Sequence, residues 1–153
     1  MFSTLLPKLI SLTSEAGETI MTLHNDNMSF IVKSDKTPLT QADKISHNLI
    51  TKTLKKITPG VPILSEESKK IPFSVRRNWD AYWLIDPLDG TRDFLDGTSN
   101  FCINIAYVVN NYPIFGMIYA PFDKVHYYRL PEQTSIKLVD DICYKLRTQK
   151  PKR

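Results

Sequence analysis

The first apolar positions of the chain fall at helical spacing. Leu5, Leu9, Leu12, Ala16 and Ile20 recur at steps of three and four residues, which predicts an amphipathic helix over the first twenty-odd positions. His24 to Asn27 end it, and Phe30 to Val32 reads as a short extended piece leading into the polar turn from Lys33 to Pro38. A second helix is expected to begin near Thr40 and to bury Ile45, Leu49, Ile50, Leu54 and Ile57, with Pro59-Gly60 as its stop.

Beyond Gly60 the period shortens. Val61 to Leu64 reads as a strand running into Ser65-Glu66-Glu67-Ser68, and Lys69 to Asn78 as a surface connection. Tyr82 to Ile85 is a second strand that ends at Asp86-Pro87-Leu88-Asp89-Gly90-Thr91. Phe101 to Val109 is apolar on both faces, the mark of a central strand. Two further strands, Ile114 to Ala120 and Val125 to Leu130, complete an antiparallel meander. Two helices followed by a run of strands predict an α+β layered domain in which the helices pack on a largely antiparallel sheet.

Composition is that of a globular chain, with 42% hydrophobic and 24% charged residues among 153. No apolar run reaches membrane-spanning length, and Met1 to Leu12 lacks a basic leader and a cleavage site, so a packed helix is expected there. Cys102 and Cys143 suggest no disulfide framework, and a cytoplasmic location follows, with peripheral association at the inner membrane left open. The net charge of +4 comes from the end of the chain. Lys145, Arg147, Lys150, Lys152 and Arg153 stand together without an acid, and without them the balance is −1. No binding motif accompanies these cations, so specific nucleic-acid binding is not expected.

The acids concentrate where strands end. Glu66-Glu67 follows one strand, and Asp86 with Asp89 follows the next. Carboxylates gathered so closely repel unless a cation joins them, and such oxygen donors suit magnesium or manganese. Zinc does not fit, because His24, His47 and His126 lack ligand spacing and the cysteines are isolated. Pro87 stiffens the hexapeptide, Asp86 and Asp89 can address one ion with the Leu88 carbonyl beside them, and Gly90 allows close backbone approach. If a helical turn starts there, the amides of Gly90 and Thr91 offer an anion site. A strand-to-helix turn with Asp and Thr caps would use the same residue types.

These residues resemble the inositol monophosphatase superfamily, whose signature is Asp-Pro-(Ile/Leu)-Asp-Gly-Thr preceded by a Glu-Glu pair. Val61 to Glu67, Leu88, Arg92-Asp93-Phe94, Asn104-Ile105-Ala106 and Tyr119-Ala120-Pro121 are similar to its CysQ branch of 3'(2'),5'-bisphosphate nucleotidases. The resemblance implies the N-terminal half of the layered sugar-phosphatase fold. It implies two or more Mg²⁺ ions, Mn²⁺ being an alternative, held by Glu66, Asp86, Asp89 and the Leu88 carbonyl. Phosphate contacts are implied for Glu66, Leu88, Asp89, Gly90 and Thr91, and a water-orienting catalytic role for Asp43 and Thr91. Thr40-x-x-Asp43 also matches a helix capping box, and the two roles are compatible. Glu67 is implied only as a support, and Lys36 reads as an exposed turn lysine. The implied reaction converts adenosine 3',5'-bisphosphate to AMP and phosphate, with inositol or sugar phosphates as the alternative small-molecule esters.

Members of that superfamily continue into a second α/β half with a further metal-binding Asp in a Trp-Asp-x-Ala-type motif. Here Trp79 and Trp83 both precede the signature. The chain is accordingly expected to comprise an inositol monophosphatase-like N-terminal domain over residues 1–128 and a divergent basic extension over 129–153. Such a truncated chain is expected to leave normally buried surface exposed, with impaired activity, an inactive remnant or a homodimer through that surface as consequences.

Overall fold

The computed structural model describes residues 1–24, 31–32 and 38–147. The expected turn with Lys36, and Lys150, Lys152 and Arg153 of the basic tail, lie outside the described residues. In chain order the elements are α1 (Phe2–His24), β1 (Ile31–Val32), β2 (Pro38–Leu39), α2 (Gln41–Ile57), β3 (Ile63–Ser65), α3 (Phe73–Arg76) and β4 (Ala81–Asp89). They continue as α4 (Thr91–Leu95), β5 (Cys102–Val109), β6 (Tyr112–Ala120), β7 (Val125–Arg129), β8 (Ile136–Val139) and β9 (Ile142–Lys145).

β3 to β9 form one seven-stranded sheet in sequence order. Only β3 and β4 run parallel; every later pair is antiparallel. α1 and α2 pack on each other and on one face of this sheet, so the α+β expectation holds. All five residues of the α1 stripe are buried, against Trp83, Ile103, Ile105, Phe115 and Met117. Trp83 is fully buried, its indole N–H donates to Thr58 Oγ1 at 2.8 Å, and its ring meets Phe2, Tyr107 and Phe115.

Three expectations are corrected. The buried face of α2 is Ala42, Asp43, Ser46, Ile50 and Leu54, so Ile45, Leu49 and Ile57 are only half-buried. Polar side chains take the inner positions because they hydrogen-bond to the loops beneath. β5 is central, as expected, between β4 and β6, but among the described residues it is covered on one face only: Ile103, Ile105 and Tyr107 point to the helices, whereas Cys102, Asn104 and Ala106 are half-buried on the other face. That face also exposes Leu84 (43%) and Ile118 (46%). Finally, within the expected basic extension over 129–153, residues 136–145 form a hairpin hydrogen-bonded to β7. The boundary expected between residues 128 and 129 falls inside β7.

Turn chemistry sets the registers. Asn110 and Asn111 join β5 to β6, and Asp140 and Asp141 join β8 to β9, each pair at positive φ between 46° and 65°. Two-residue turns of this kind match the sheet twist, and Asn and Asp tolerate the conformation. Pro113, which has no N–H to donate, pairs where the β5–β6 register shifts.

His126 ties β7 to α1. Its ring is 5% exposed, lies 2.9 Å from Thr13 Oγ1 and stacks on Tyr119 with centroids 4.1 Å apart. Burial pushes the imidazole down from 6.5 to about 4, against an opposing bond to Ile10. Between these values the unfolded chain binds the proton and the folded chain does not. This contribution is therefore complete above pH 6.5 and is lost as pH falls towards 4. After allowance for solvent screening it amounts to about 2 kcal/mol. Thermal melts of wild type and His126→Gln at pH 7 and pH 4.5 check it. The wild type is expected to lose more on acidification, and parallel losses would refute the assignment.

Candidate active site

α2 begins with Thr40 as its N-cap, and the capping box expected from the sequence is present. Asp43 Oδ2 accepts from the Thr40 amide at 2.7 Å and from the Thr40 hydroxyl at 2.5 Å. The other carboxylate oxygen, Oδ1, is 3.2 Å from the Thr91 hydroxyl. One aspartate thus closes a helix end and reaches the signature turn. Asp43 is 1% exposed, and burial with its bonds fixes its rotamer.

The signature itself lies at the end of β4. The sequence predicted that the strand stops before Asp86; instead it continues to Asp89 across a register shift between those two aspartates. The bulge accommodates Pro87, whose ring removes a ladder donor. Ser46 of α2 donates to the Pro87 carbonyl at 2.8 Å, and both groups are buried. Gly90 follows at φ 89° and ψ 34°, and the Phe94 amide bonds its carbonyl at 2.9 Å. α4 therefore starts at Thr91, as the anion-site argument required. The Thr91 hydroxyl also lies 3.2 Å from the Leu88 carbonyl.

Asp86 is the electrostatic focus. Burial first, and then the neighbouring Glu66 and Asp89 carboxylates, push its carboxyl from 3.8 up to about 7. Glu66 is close enough to hydrogen-bond it, and the Leu88 amide donates to Asp86 Oδ1 at 3.3 Å. The parallel pairing of β3 with β4, and the Glu66 amide bond to the Ile85 carbonyl, bring the Glu-Glu turn to this point. Asp89 accepts from Asn104 Nδ2 at 2.9 Å. Among the described residues, no group of three or more His, Cys, Asp and Glu side chains is arranged to hold a metal ion. Asp86 is turned to Glu66, and Asp89 to Asn104.

The donor set nevertheless fits a divalent cation. A hydrogen bond between two carboxyls needs a proton on one of them, and both charged neighbours that shift Asp86 are negative. A cation relieves that repulsion with oxygen ligands alone. The histidines are engaged elsewhere: His24 with the Thr98 carbonyl, His47 with Ser65 and His126 with Thr13. Beside Asp89, the Cys102 thiol is pushed up to about 11 by burial and the nearby carboxylates, so it is protonated at neutral pH.

The profile of the inositol monophosphatase family matches residues 3–138. The chain belongs to that family. The 3'(2'),5'-bisphosphate nucleotidase CysQ of Buchnera aphidicola is 44% identical over 127 residues, covering 80% of this chain and 47% of that protein. CysQ of Escherichia coli K12 is 39% identical over 125 residues, covering 80% and 50%. The crystal structure of CysQ from Bacteroides thetaiotaomicron superposes with a TM-score of 0.73 at 32% identity, covering 93% of this chain and 57% of that one. The chain spans about half the length of the curated relatives it matches. Among the described residues, no helix is long and apolar enough to cross a membrane.

The residues expected from the sequence, Asp43, Glu66, Asp86, Leu88, Asp89, Gly90 and Thr91, lie together at one end of the sheet. Ser46 and His47, not among them, bond the loops that carry the acids. Their spacing from Asp43, three and four residues along α2, is the signal that could have found them.

Proposed function

We propose that the chain carries out divalent-cation-dependent hydrolysis of a phosphomonoester, with a 3'(2'),5'-bisphosphate nucleotide as substrate class. The observation that carries this reading is the Asp86 carboxyl, pushed up by burial and by two acidic neighbours, beside a helical turn headed by Gly90 and Thr91. The identity to CysQ proteins supports the substrate class, with adenosine 3',5'-bisphosphate going to AMP and phosphate.

Glu66, Asp86, Asp89 and the Leu88 carbonyl would hold two or more Mg²⁺ ions, or Mn²⁺ in their place. Bound there, such ions lower the pKa of a water and neutralise phosphate charge. Asp43 and Thr91 act as a pair. The single Thr91 proton is directed to Asp43 Oδ1 or the Leu88 carbonyl, which leaves the Thr91 oxygen as an acceptor for a water hydrogen. Asp43, fixed by its cap bonds, sets the direction of that acceptor. The Gly90 and Thr91 amides meet phosphate oxygens at the head of α4.

Phosphate release from adenosine 3',5'-bisphosphate, inositol monophosphate and fructose bisphosphate, each with and without Mg²⁺, tests the reading. Release is expected from the first alone and only with Mg²⁺, and Asp43→Ala is expected to lower kcat by about 100-fold or more. Equal rates on inositol monophosphate would transfer the assignment to inositol phosphates. An unaffected Asp43→Ala variant would remove that residue from the chemistry. A second reading, a cation-binding chain without turnover, is favoured by the uncovered sheet face next to Glu66 and Asp86. That face forms a groove of about 860 Å³ floored by Leu84, Ala106, Gly116 and Ile118. Tight Mg²⁺ binding with no phosphate release from any of the three esters would establish it.

A further inference from the structure

α2 holds more of the site than its aspartate. Successive inner positions of its first two turns reach three separate pieces: Asp43 the Thr91 turn, Ser46 the Pro87 carbonyl, and His47 the end of β3. The last of these contacts bears on a weak point of the sheet. β3 has three residues and, among the described residues, lies at the sheet edge and pairs on one side only, with β4. Glu66 and Glu67 leave it in a turn closed by the Ser68 amide on the Ser65 carbonyl at 3.1 Å.

Ser65 is 6% exposed, and its hydroxyl lies between two partners. The Glu67 amide donates to Ser65 Oγ at 3.3 Å, and His47 Nδ1 is 2.8 Å from the same oxygen. An amide can only donate, so Oγ accepts there. The hydroxyl keeps its own proton and a second lone pair, and either one meets the imidazole nitrogen, according to the tautomer of His47. The bonding thus links the Glu67 amide, the Ser65 hydroxyl and His47 Nδ1 in series. Each link restrains the next, and the turn that carries Glu66 is tied to α2 as well as, through the Glu66 amide, to the Ile85 carbonyl of β4.

We propose that His47 is a positioning residue which, through Ser65, fixes the Glu66-Glu67 turn and so sets the Glu66 carboxyl against Asp86. The consequence for cation binding rests on the divalent-cation reading above; the consequence for the turn does not. Groups behind a ligand that orient it are worth about 10- to 100-fold in metal affinity.

The test follows Mn²⁺ binding to the full chain by the electron paramagnetic resonance signal of the free ion, and exchange of the Glu67 amide by NMR. His47→Ala is expected to weaken Mn²⁺ binding about 10-fold and to accelerate Glu67 exchange. His47→Asn, whose side-chain amide can either accept from or donate to Ser65, is expected to restore both to within about three-fold of wild type. Ser65→Ala should reproduce His47→Ala, and the double variant should add nothing, because the residues act in series. Unchanged affinity and exchange in His47→Ala would overturn the proposal. So would a loss that His47→Asn does not repair and that comes with faster exchange across the whole sheet, which marks general destabilisation. Asp86→Asn serves as the control for the underlying reading. If it binds Mn²⁺ like wild type the cation site fails, while Glu67 exchange in His47→Ala still decides whether the histidine holds the turn.

Discussion

Asp86→Asn is expected to melt several degrees above the wild type at pH 8 and to lose Mn²⁺ affinity by on the order of 100-fold or more. The two effects have one origin. The folded chain pushes the Asp86 carboxyl from 3.8 up to about 7, so between those values the folded state binds a proton that the unfolded state releases. Stability from this group therefore rises as pH falls through 7, and above 7 the ionised carboxyl is a full liability. Asparagine keeps the shape and the oxygen that accepts from the Leu88 amide at 3.3 Å, and removes the charge that Glu66 and Asp89 oppose. The gain in melting temperature should shrink as pH falls from 8 to about 5, where the wild-type carboxyl is already protonated. His126 acts with the opposite sign below pH 6.5, so the two proteins must be compared at each pH rather than one protein across pH. Cation binding by the wild type should weaken over the same range, because the ligand must ionise to bind. A variant that melts lower than wild type at pH 8, or that keeps its Mn²⁺ affinity, would refute the electrostatic account. Sites that hold cations with clustered acids carry this conflict between stability and function whenever the cation is absent.

The parts of this fold that hydrophobic spacing could reveal were those where burial alone decides the element. α1 is such a case, since Leu5, Leu9, Leu12, Ala16 and Ile20 all meet the core. α2 is not. Its inner face carries Asp43 and Ser46, whose polar side chains are buried because they bond the signature loop, and a scale that rewards apolar residues put Ile45 in their place. The hairpin from Ile136 to Lys145 was hidden for a related reason. Its Asp140-Asp141 turn, at φ 46° and 63°, is a hairpin signal, but its strands are only half-covered or exposed, so their weak apolar patch does not stand out from the basic end of the chain. Pro87 misled in the other direction, because a proline argues against a central strand unless a bulge removes the need for its donor. Of the site, the acids were legible because strand ends and short spacing put them together whatever the side chains do. His47 was not, because it was weighed only as a zinc ligand, and its bond to Ser65 depends on how α2 lies over β3.

Gly90→Ala should lower stability by about 3 kcal/mol, or roughly 6–12 °C in melting temperature for a chain of this size. Two separate costs contribute. At φ 89° an alanine is held in a left-handed conformation, which costs about 1 kcal/mol against glycine. The larger cost is steric: a Cβ there would stand 2.5 Å from the Asn100 carbonyl oxygen and 3.1 Å from Phe101 Cα. Both are backbone atoms, and Phe101 is itself buried against Phe94 and His24, so the obstruction cannot swing away like the end of a lysine. Relief requires moving either the loop before β5 or the Gly90–Thr91 turn, and the second displaces the Thr91 hydroxyl from Asp43. Gly60 and Gly97 supply the controls. They sit at φ 84° and 74°, and an added Cβ meets nothing within 4 Å at either. Gly60→Ala and Gly97→Ala should therefore show the conformational cost alone, about 1 kcal/mol each. If all three variants melt together, the close approach of the Asn100 backbone to the signature turn is not what makes glycine necessary at position 90.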